Sequence, residues 1–342
     1  MNKLTNRADA DQIGLGALLA ELGEAVQRHL VQTRDIQTDS QAVGFEGGDT
    51  IFAIDRKVEP IIAGLMEAWP ESLKPIVLIA EGFGRDGRHL FGDPDHSPRY
   101  RLLIDPIDGT RNLMYDKRAA WFLASIAPDR GEQTSLSDSV ASVMIELPTS
   151  KQLYADTFIC EKGTSVLARR KRIDTGIETV FFPQPSQETT LLNGFAQVAN
   201  FFPGTKELAS QLMERIAEAT LGVVKPGQAS IFDDQYISTG GQLVELLVGH
   251  DRFCCDLRPL FYDILTHKTS VSIERGLECH PYDMAGMLVA QQVGVILTDG
   301  WGKNLDAPFD VSTGIHWCGY ANSQLRAQIE PVIHEWLSGQ LR

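Results

Sequence analysis

The chain has 342 residues, 43% of them apolar and 22% charged, with a formal net charge of -14. At roughly 100 to 200 residues per domain, that length calls for about two compact units, and the composition confines disorder to short ends. The acidic excess argues against a nucleic-acid groove or an anionic membrane as the main partner, because both need clustered Lys and Arg.

In chain order, Ile13, Leu18, Leu22, Val26 and Leu30 recur at helical spacing, which predicts an amphipathic helix over 11–33. A second is predicted from Ala53 to Trp69, with Val58, Ile61, Ile62, Leu65 and Met66 on its buried stripe and Asp55 in its first turn, where the helix dipole favours a carboxylate. The runs "PIVLIAE" (75–81) and "YRLLID" (100–105) read as buried strands that end abruptly in Glu81 and Asp105. Further strands are expected over 120–127, 140–147 and 152–159. Beyond "EKGTS" (161–165) the pattern becomes alternating helices and strands, including helices over 204–220, 283–293 and 321–337. The domain boundary is therefore placed near residue 165, giving units of 1–165 and 166–342.

"ARRKR" (168–172) is the one basic run and reads as a solvated surface turn, the alternative being a contact with a phosphate or polyanion such as a doubly phosphorylated substrate. Five cysteines, with no C-x-x-C, form an odd set suited to a reducing compartment. The first residues, "MNKLTNRADADQIG", carry no apolar h-region, and no apolar run approaches the ~18 residues of a membrane helix, so a cytoplasmic protein is expected.

The chemistry concentrates in "LLIDPIDGTRN" (102–112). A bare carboxylate at the end of a buried strand costs several kcal/mol unless it is paired or metal-bound. Any one of Glu81, Asp105 and Asp108 could be a capping or salt-bridged acid; three together point to a hard divalent cation such as Mg2+, whose oxygen shell a substrate phosphate completes. Pro106 fixes the backbone so that both aspartates can face one side, the Ile107 carbonyl supplies another oxygen, and Gly109 with Thr110 opens a helix that offers N–H groups to an anion.

Three other motifs carry less. "GFGRDG" (82–87) fits G-x-G-x-x-G, but Gly92, Pro94 and Pro98 stand where a dinucleotide fold needs a helix, so it reads as a loop beside the metal site. Aspartyl-phosphate phosphatases use D-x-D-G-T, whereas Ile107 occupies the place of the first aspartate here. Cys279 and His280 lack a partner pair at zinc-ligand spacing.

"DPIDGTRN", "IAEG", "TIFAIDRKVEPII" (50–62), "STGGQLVELLVGHDRF" (238–253) and "HPYDMAGMLVAQQVGVILTDGWG" (280–302) occur in the order of, and resemble, the motifs of the inositol monophosphatase superfamily. These are Mg2+-dependent, Li+-sensitive phosphomonoesterases. The resemblance implies an α+β chain folded as a layered α/β/α/β/α sandwich, with the active site between two domains, and a homodimer.

It further implies that Glu81, Asp105 and the Ile107 carbonyl hold one metal and that Asp105, Asp108 and Asp283 hold a second, with two or three Mg2+ per site. Asp55 and Thr110, aided by Glu81, would orient and activate water; Gly109, Thr110 and Asp283 would meet the substrate. The implied reaction is hydrolysis of a small phosphate monoester: an inositol phosphate, a sugar phosphate or a nucleotide 3'-phosphate. The alternative is a non-catalytic sensor of a phosphorylated metabolite.

Three positions depart from the family pattern. Gly82 replaces a second glutamate, Tyr282 replaces a tryptophan, and Gly276 falls where the family's inositol-contacting glutamate stands; Glu274 or Glu278 could take over that contact. The segment 257–276 is also longer than the usual connection.

Overall fold

Alternation along the strands decides the first sheet. The computed structural model describes residues 14–35, 39–46, 49–83, 86–273 and 275–341. Eight strands lie in the order β10-β9-β8-β7-β6-β5-β3-β4. They are β3 (Ile76–Ala80), β4 (Arg88–Phe91), β5 (Tyr100–Asp108), β6 (Ala120–Pro128), β7 (Ala141–Leu147), β8 (Tyr154–Glu161), β9 (Leu167–Arg172) and β10 (Glu178–Phe181). β3 and β5 pair in parallel. The small hairpin β1 (Ala42–Glu46) and β2 (Asp49–Phe52) stands apart.

Successive side chains of a strand face opposite ways. Leu78, Leu102, Ile104, Phe122 and Val143 accordingly pack against α1 (Leu15–Thr33) and α2 (Ala53–Glu67), through Leu19, Leu22, Val26, Val58 and Ile62. Ile79, Leu103, Leu123, Met144 and Phe158 face the opposite way, onto α5 (Thr239–Leu247) and α7 (Met287–Gln292).

Those two helices lie on one face of a second sheet, order β12-β11-β13-β15-β14. Its strands are β11 (Gly194–Val198), β12 (Ile231–Phe232), β13 (Asp251–Asp256), β14 (Ile296–Thr298) and β15 (Trp317–Tyr320). Its far face is covered by α4 (Lys206–Leu221), α6 (Arg258–Thr269) and α8 (Ser323–Gln340), with Phe253, Cys255 and Tyr320 beneath them. The layers therefore run α/β/α/β/α, the expected sandwich. No helix among the described residues is long and apolar enough to cross a membrane.

Two expectations need correction, the turn at "ARRKR" and the unbroken helix over 283–293. The change of pattern at 165 precedes β9 and β10, which belong to the first sheet; the chain passes to the second sheet between 181 and 194. "ARRKR" is strand β9 and not a turn: Arg169 pairs with Glu24 and Glu178, Arg170 with Asp156, and Arg172 with Asp174. "GFGRDG" joins β3 to the antiparallel strand β4, and no helix follows it.

The helix expected over 283–293 is split. Asp283 lies in a short 3-10 turn, Tyr282–Met284, and α7 begins only after Gly286. A Cβ on Gly286 would lie 2.8 Å from the Met144 sulfur, so the glycine lets this segment seat closely on β7. The long 257–276 connection contains α6, which starts with Arg258 and Pro259.

Candidate active site

β5 does not stop at Asp105; it runs on to Asp108 through a bulge. Asp105 faces Leu123 and Asp108 faces Trp121, so three steps on β5 match two on β6. The extra residue falls beside Pro106, which cannot donate to the ladder and is tolerated at such irregularities. The bulge has a consequence for direction. With strict alternation residue 107 would follow 105 to the inner face. The added residue instead sends Ile107 into the α1/α2 core and brings Asp108 to the face of Asp105, toward the second sheet.

Two local contacts fix this corner. Asp105 Oδ1 accepts the Ile107 N–H at 3.0 Å, and the Ile107 carbonyl accepts the Thr110 hydroxyl at 2.8 Å. Gly109 then turns the chain with φ 92°, which favours glycine, into α3 (Thr110–Met114). A Cβ there would also meet Ser238 at 3.0 Å and the Ile237 carbonyl at 3.2 Å.

The second domain supplies the rest. Asp108 is held at the start of α5, accepting from Ser238 Oγ at 2.7 Å, Thr239 N at 3.2 Å and Gly240 N at 2.5 Å. A helix N-terminus favours a carboxylate there. Ser238 also caps that helix through Gly241 N at 2.9 Å. Asp283 accepts the His280 N–H at 2.6 Å within its own turn and does not cap α7.

Asp105, Asp108 and Asp283 converge, each with a ligand oxygen within 4.8 Å of the others. Burial followed by repulsion from Asp108, Asp283 and Glu81 pushes Asp105 well above the usual carboxylate range. Burial and the charge of Asp283 raise Asp108 to about 8, against the pull of its three hydrogen bonds from Ser238, Gly240 and Thr239. Burial likewise raises Asp283 to about 7, opposed by the His280 amide and by Arg258. A buried set of mutually repelling oxygens fits a hard divalent cation, which would restore the ionised forms. Glu81, expected as a ligand, follows β3, is exposed, and lies outside this close group while lining the same cleft.

Asp55 sits in the first turn of α2, where its Oδ2 accepts the Phe52 N–H at 2.9 Å. Its Oδ1 lies 3.2 Å from Thr110 Oγ1, so the two residues expected to handle water are adjacent. Glu59, one turn further along α2, lines the cleft as well.

The opposite wall holds Phe201, Phe202, Arg258 and Leu277, which sequence reading did not assign, beside His280 and Glu278, the latter expected as a stand-in for the family's inositol-contacting glutamate. Arg258 is 6% exposed and is gripped by Asp256, Nε lying 2.8 Å from Oδ1. Glu274 lies outside the described residues. The serine before an apolar-periodic run at 239–247 is a helix-start signal that could have singled out Ser238; nothing local in the sequence marks Arg258.

The fold has known counterparts. The structure aligns with a putative sedoheptulose-1,7 bisphosphatase from Toxoplasma gondii at 14% identity and TM-score 0.64, covering 95% of this chain and 94% of that one. It aligns with an inositol monophosphatase-fructose 1,6 bisphosphatase at 12% identity and TM-score 0.63, covering 95% and 100%. It also aligns with the extragenic suppressor protein suhB from Bartonella henselae at 16% identity and TM-score 0.62, covering 92% and 96%. The chain has the inositol monophosphatase-like fold. No family model matches the sequence, and no curated protein matches it. The fold is thus kept at an identity where the sequence comparisons no longer detect it.

Proposed function

We propose that this protein is a Mg2+-dependent phosphatase that hydrolyses a small phosphate monoester by direct attack of water. The observation that carries the reading is the convergence of Asp105, Asp108 and Asp283 beside the hydrogen-bonded pair Asp55 and Thr110. Asp105, Asp108 and Asp283, with Glu81 and the Ile107 carbonyl at the rim, would hold two or three Mg2+ ions. Bound there, Mg2+ supplies Lewis acidity toward the phosphoryl group and lowers the pKa of water.

The chain's own residues do the positioning. Thr110 Oγ1 lies within hydrogen-bond reach of both Asp55 Oδ1 and the Ile107 carbonyl. Donating its proton to one of them, Thr110 presents oxygen lone pairs to a water proton. Asp55 is the carboxylate that takes the proton as the nucleophile forms, aided by Glu81, which lines the same cleft. The turn at Gly109 and Thr110 would receive the phosphoryl oxygens, and Asp283 would reach the substrate from the second domain. No covalent phosphoenzyme is needed.

The five cysteines are all free and buried, which supports a reducing, cytoplasmic setting. Val180 and Phe182, at the outer edge of β10, are 60% and 89% exposed, which supports a homodimer formed over that edge. The partner of the site is a small phosphorylated metabolite.

The test is phosphate release with and without Mg2+ across inositol phosphates, sugar mono- and bisphosphates and 3'-phosphoadenosine 5'-phosphate, with Asp105→Asn as control. Release that requires Mg2+ and vanishes in the variant supports the phosphatase. No turnover on any compound, with Mg2+ still bound, would replace it with the sensor.

A further inference from the structure

A second cleft, of about 920 Å3, opens where the chain leaves α3 for β6, between β7, β8 and α5. It shares no lining residue with the cleft of the three aspartates, and its volume is that of a small-molecule site. Its walls are already tied together. Trp121 Nε1 donates to the Tyr236 hydroxyl at 3.0 Å, and that hydroxyl donates to the Ala119 carbonyl at 2.8 Å. Arg170 holds both oxygens of Asp156 at 2.7 Å, and Arg118 is held by Asp234 and Glu245, each at 2.9 Å. Walls fixed in advance leave little ordering cost for a molecule that enters.

Shape and charge say what fits. The Arg118 guanidinium lies flat on Tyr236, 3.5 Å from the ring centroid, and that of Arg170 lies 5.2 Å from the Phe181 centroid. Both guanidiniums line the cleft with their charge offset by carboxylates, so they offer planar faces for stacking. At the mouth Leu153, Tyr154 and Phe182 are 55%, 46% and 89% exposed, apolar surface of the kind a ligand covers. Lys117 is the lining cation left without an ion pair among the described residues, since His250, Arg118 and Arg170 are all engaged. The lining acid Glu146 accepts from Gln152 and the Asp156 amide, and burial raises it to about 7, which reduces its repulsion of an anion.

We propose that this cleft binds a small aromatic carboxylic acid that regulates the metal site. The ring stacks on the guanidinium and aromatic faces, and the carboxylate meets Lys117. The path to the metal site is short. Trp121 stands opposite Asp108 in the pairing of β5 with β6. The Tyr236 carbonyl accepts the Ser238 N–H at 2.9 Å, and the Ser238 hydroxyl holds Asp108. A ligand packed on Trp121 and Tyr236 favours the arrangement that seats Asp108, so it tightens cation binding, and the cation tightens ligand binding in return. Binding at this cleft does not depend on the phosphatase reading; the regulation rests only on the aspartates holding a cation.

Calorimetric titration uses indole-3-acetate, with tryptamine, which reverses the charge, and cyclohexylacetate, which lacks a flat ring, as comparisons. Indole-3-acetate is expected to bind once per chain and about tenfold or more tighter than either. Lys117→Ala should weaken it by about tenfold, the worth of a hydrogen bond to a charged group. Lys303→Ala, at an exposed lysine outside the cleft, should change nothing. With indole-3-acetate bound, Mg2+ should bind several-fold more tightly; Lys117→Ala should keep the basal Mg2+ affinity and lose that gain.

No saturable binding, equal binding of tryptamine, or an equal loss in both lysine variants overturns the site. Binding that leaves Mg2+ affinity unchanged overturns the regulation. A dimer in sedimentation that takes up no probe would show the cleft closed by a second copy, and overturns the proposal as well. Mg2+-dependent release from p-nitrophenyl phosphate is measured separately. Its failure alongside the expected binding and Mg2+ shift would sink the phosphatase reading and leave this site standing.

Discussion

The two walls of the cleft are built by different means. On the first-domain side Asp105, Ile107, Asp108 and Thr110 fall within six residues, and one bulge and one glycine turn aim them. On the second-domain side Ser238, Arg258, Glu278 and Asp283 come from separate segments, brought together by the packing of α5, α6 and the turn at Tyr282–Met284. A locally encoded wall can carry the part of a reaction common to many substrates, the phosphate and its metal. An assembled wall can change one segment at a time, which suits recognition of the group that varies.

The largest expected effect breaks the local wall. Asp105→Asn should lower Mg2+-dependent phosphate release by about 1000-fold or more, since it removes a charge from the centre of the cation site. Thr110→Val should cost roughly 100-fold in kcat with Mg2+ affinity unchanged, within the range typical of proton-handling groups. Rate and metal-binding measurements together separate the two roles.

Ser238→Ala sharpens the comparison, because Ser238 joins the walls. It loses the bond to Asp108 and the cap on α5, so about 1–2 kcal/mol of stability and roughly tenfold in kcat should go together. Denaturant unfolding and steady-state rates check this. A stability loss with unchanged kcat would show that holding Asp108 does not matter to turnover.

The smallest expected effect is on pH. Asp105, Asp108 and Asp283 have folded pKa values raised above their unfolded ones, so the folded state binds more protons and stability falls as pH rises. For chelated protein the loss begins above the ordinary carboxylate range near 4 and levels off above about 8, where Asp108 titrates. Melting temperatures at pH 6 and pH 8 should differ by a few degrees in chelator, with pH 8 lower, and Mg2+ should stabilise more at pH 8. A chelated protein more stable at pH 8 would contradict the charged-cluster account.

The strands that deliver Glu81 and Asp105 and the two N-terminal helices were legible in the sequence because their signals, periodicity and abrupt polarity changes, are local; that β5 runs on past Asp105 was not, and the pairing of Asp55 with Thr110 was implied only by the family resemblance. The sheet boundary at 181–194 was not, since β9 carries a basic run in which paired arginines replace the apolar alternation of a strand. The split of the helix at Gly286 was equally hidden, because the close approach of Met144 to that glycine is a contact between distant segments.

The sequence by itself therefore determined the strands and turns that carry Glu81, Asp105 and Asp108, because short-range spacing specifies them, while the layered architecture was legible only through the family resemblance. Only the tertiary structure decided which acids converge, that Asp108 is seated on α5, and that Arg258 is held by Asp256 in the cleft wall. Those facts depend on which surfaces of distant segments are buried against one another, and no local pattern encodes that.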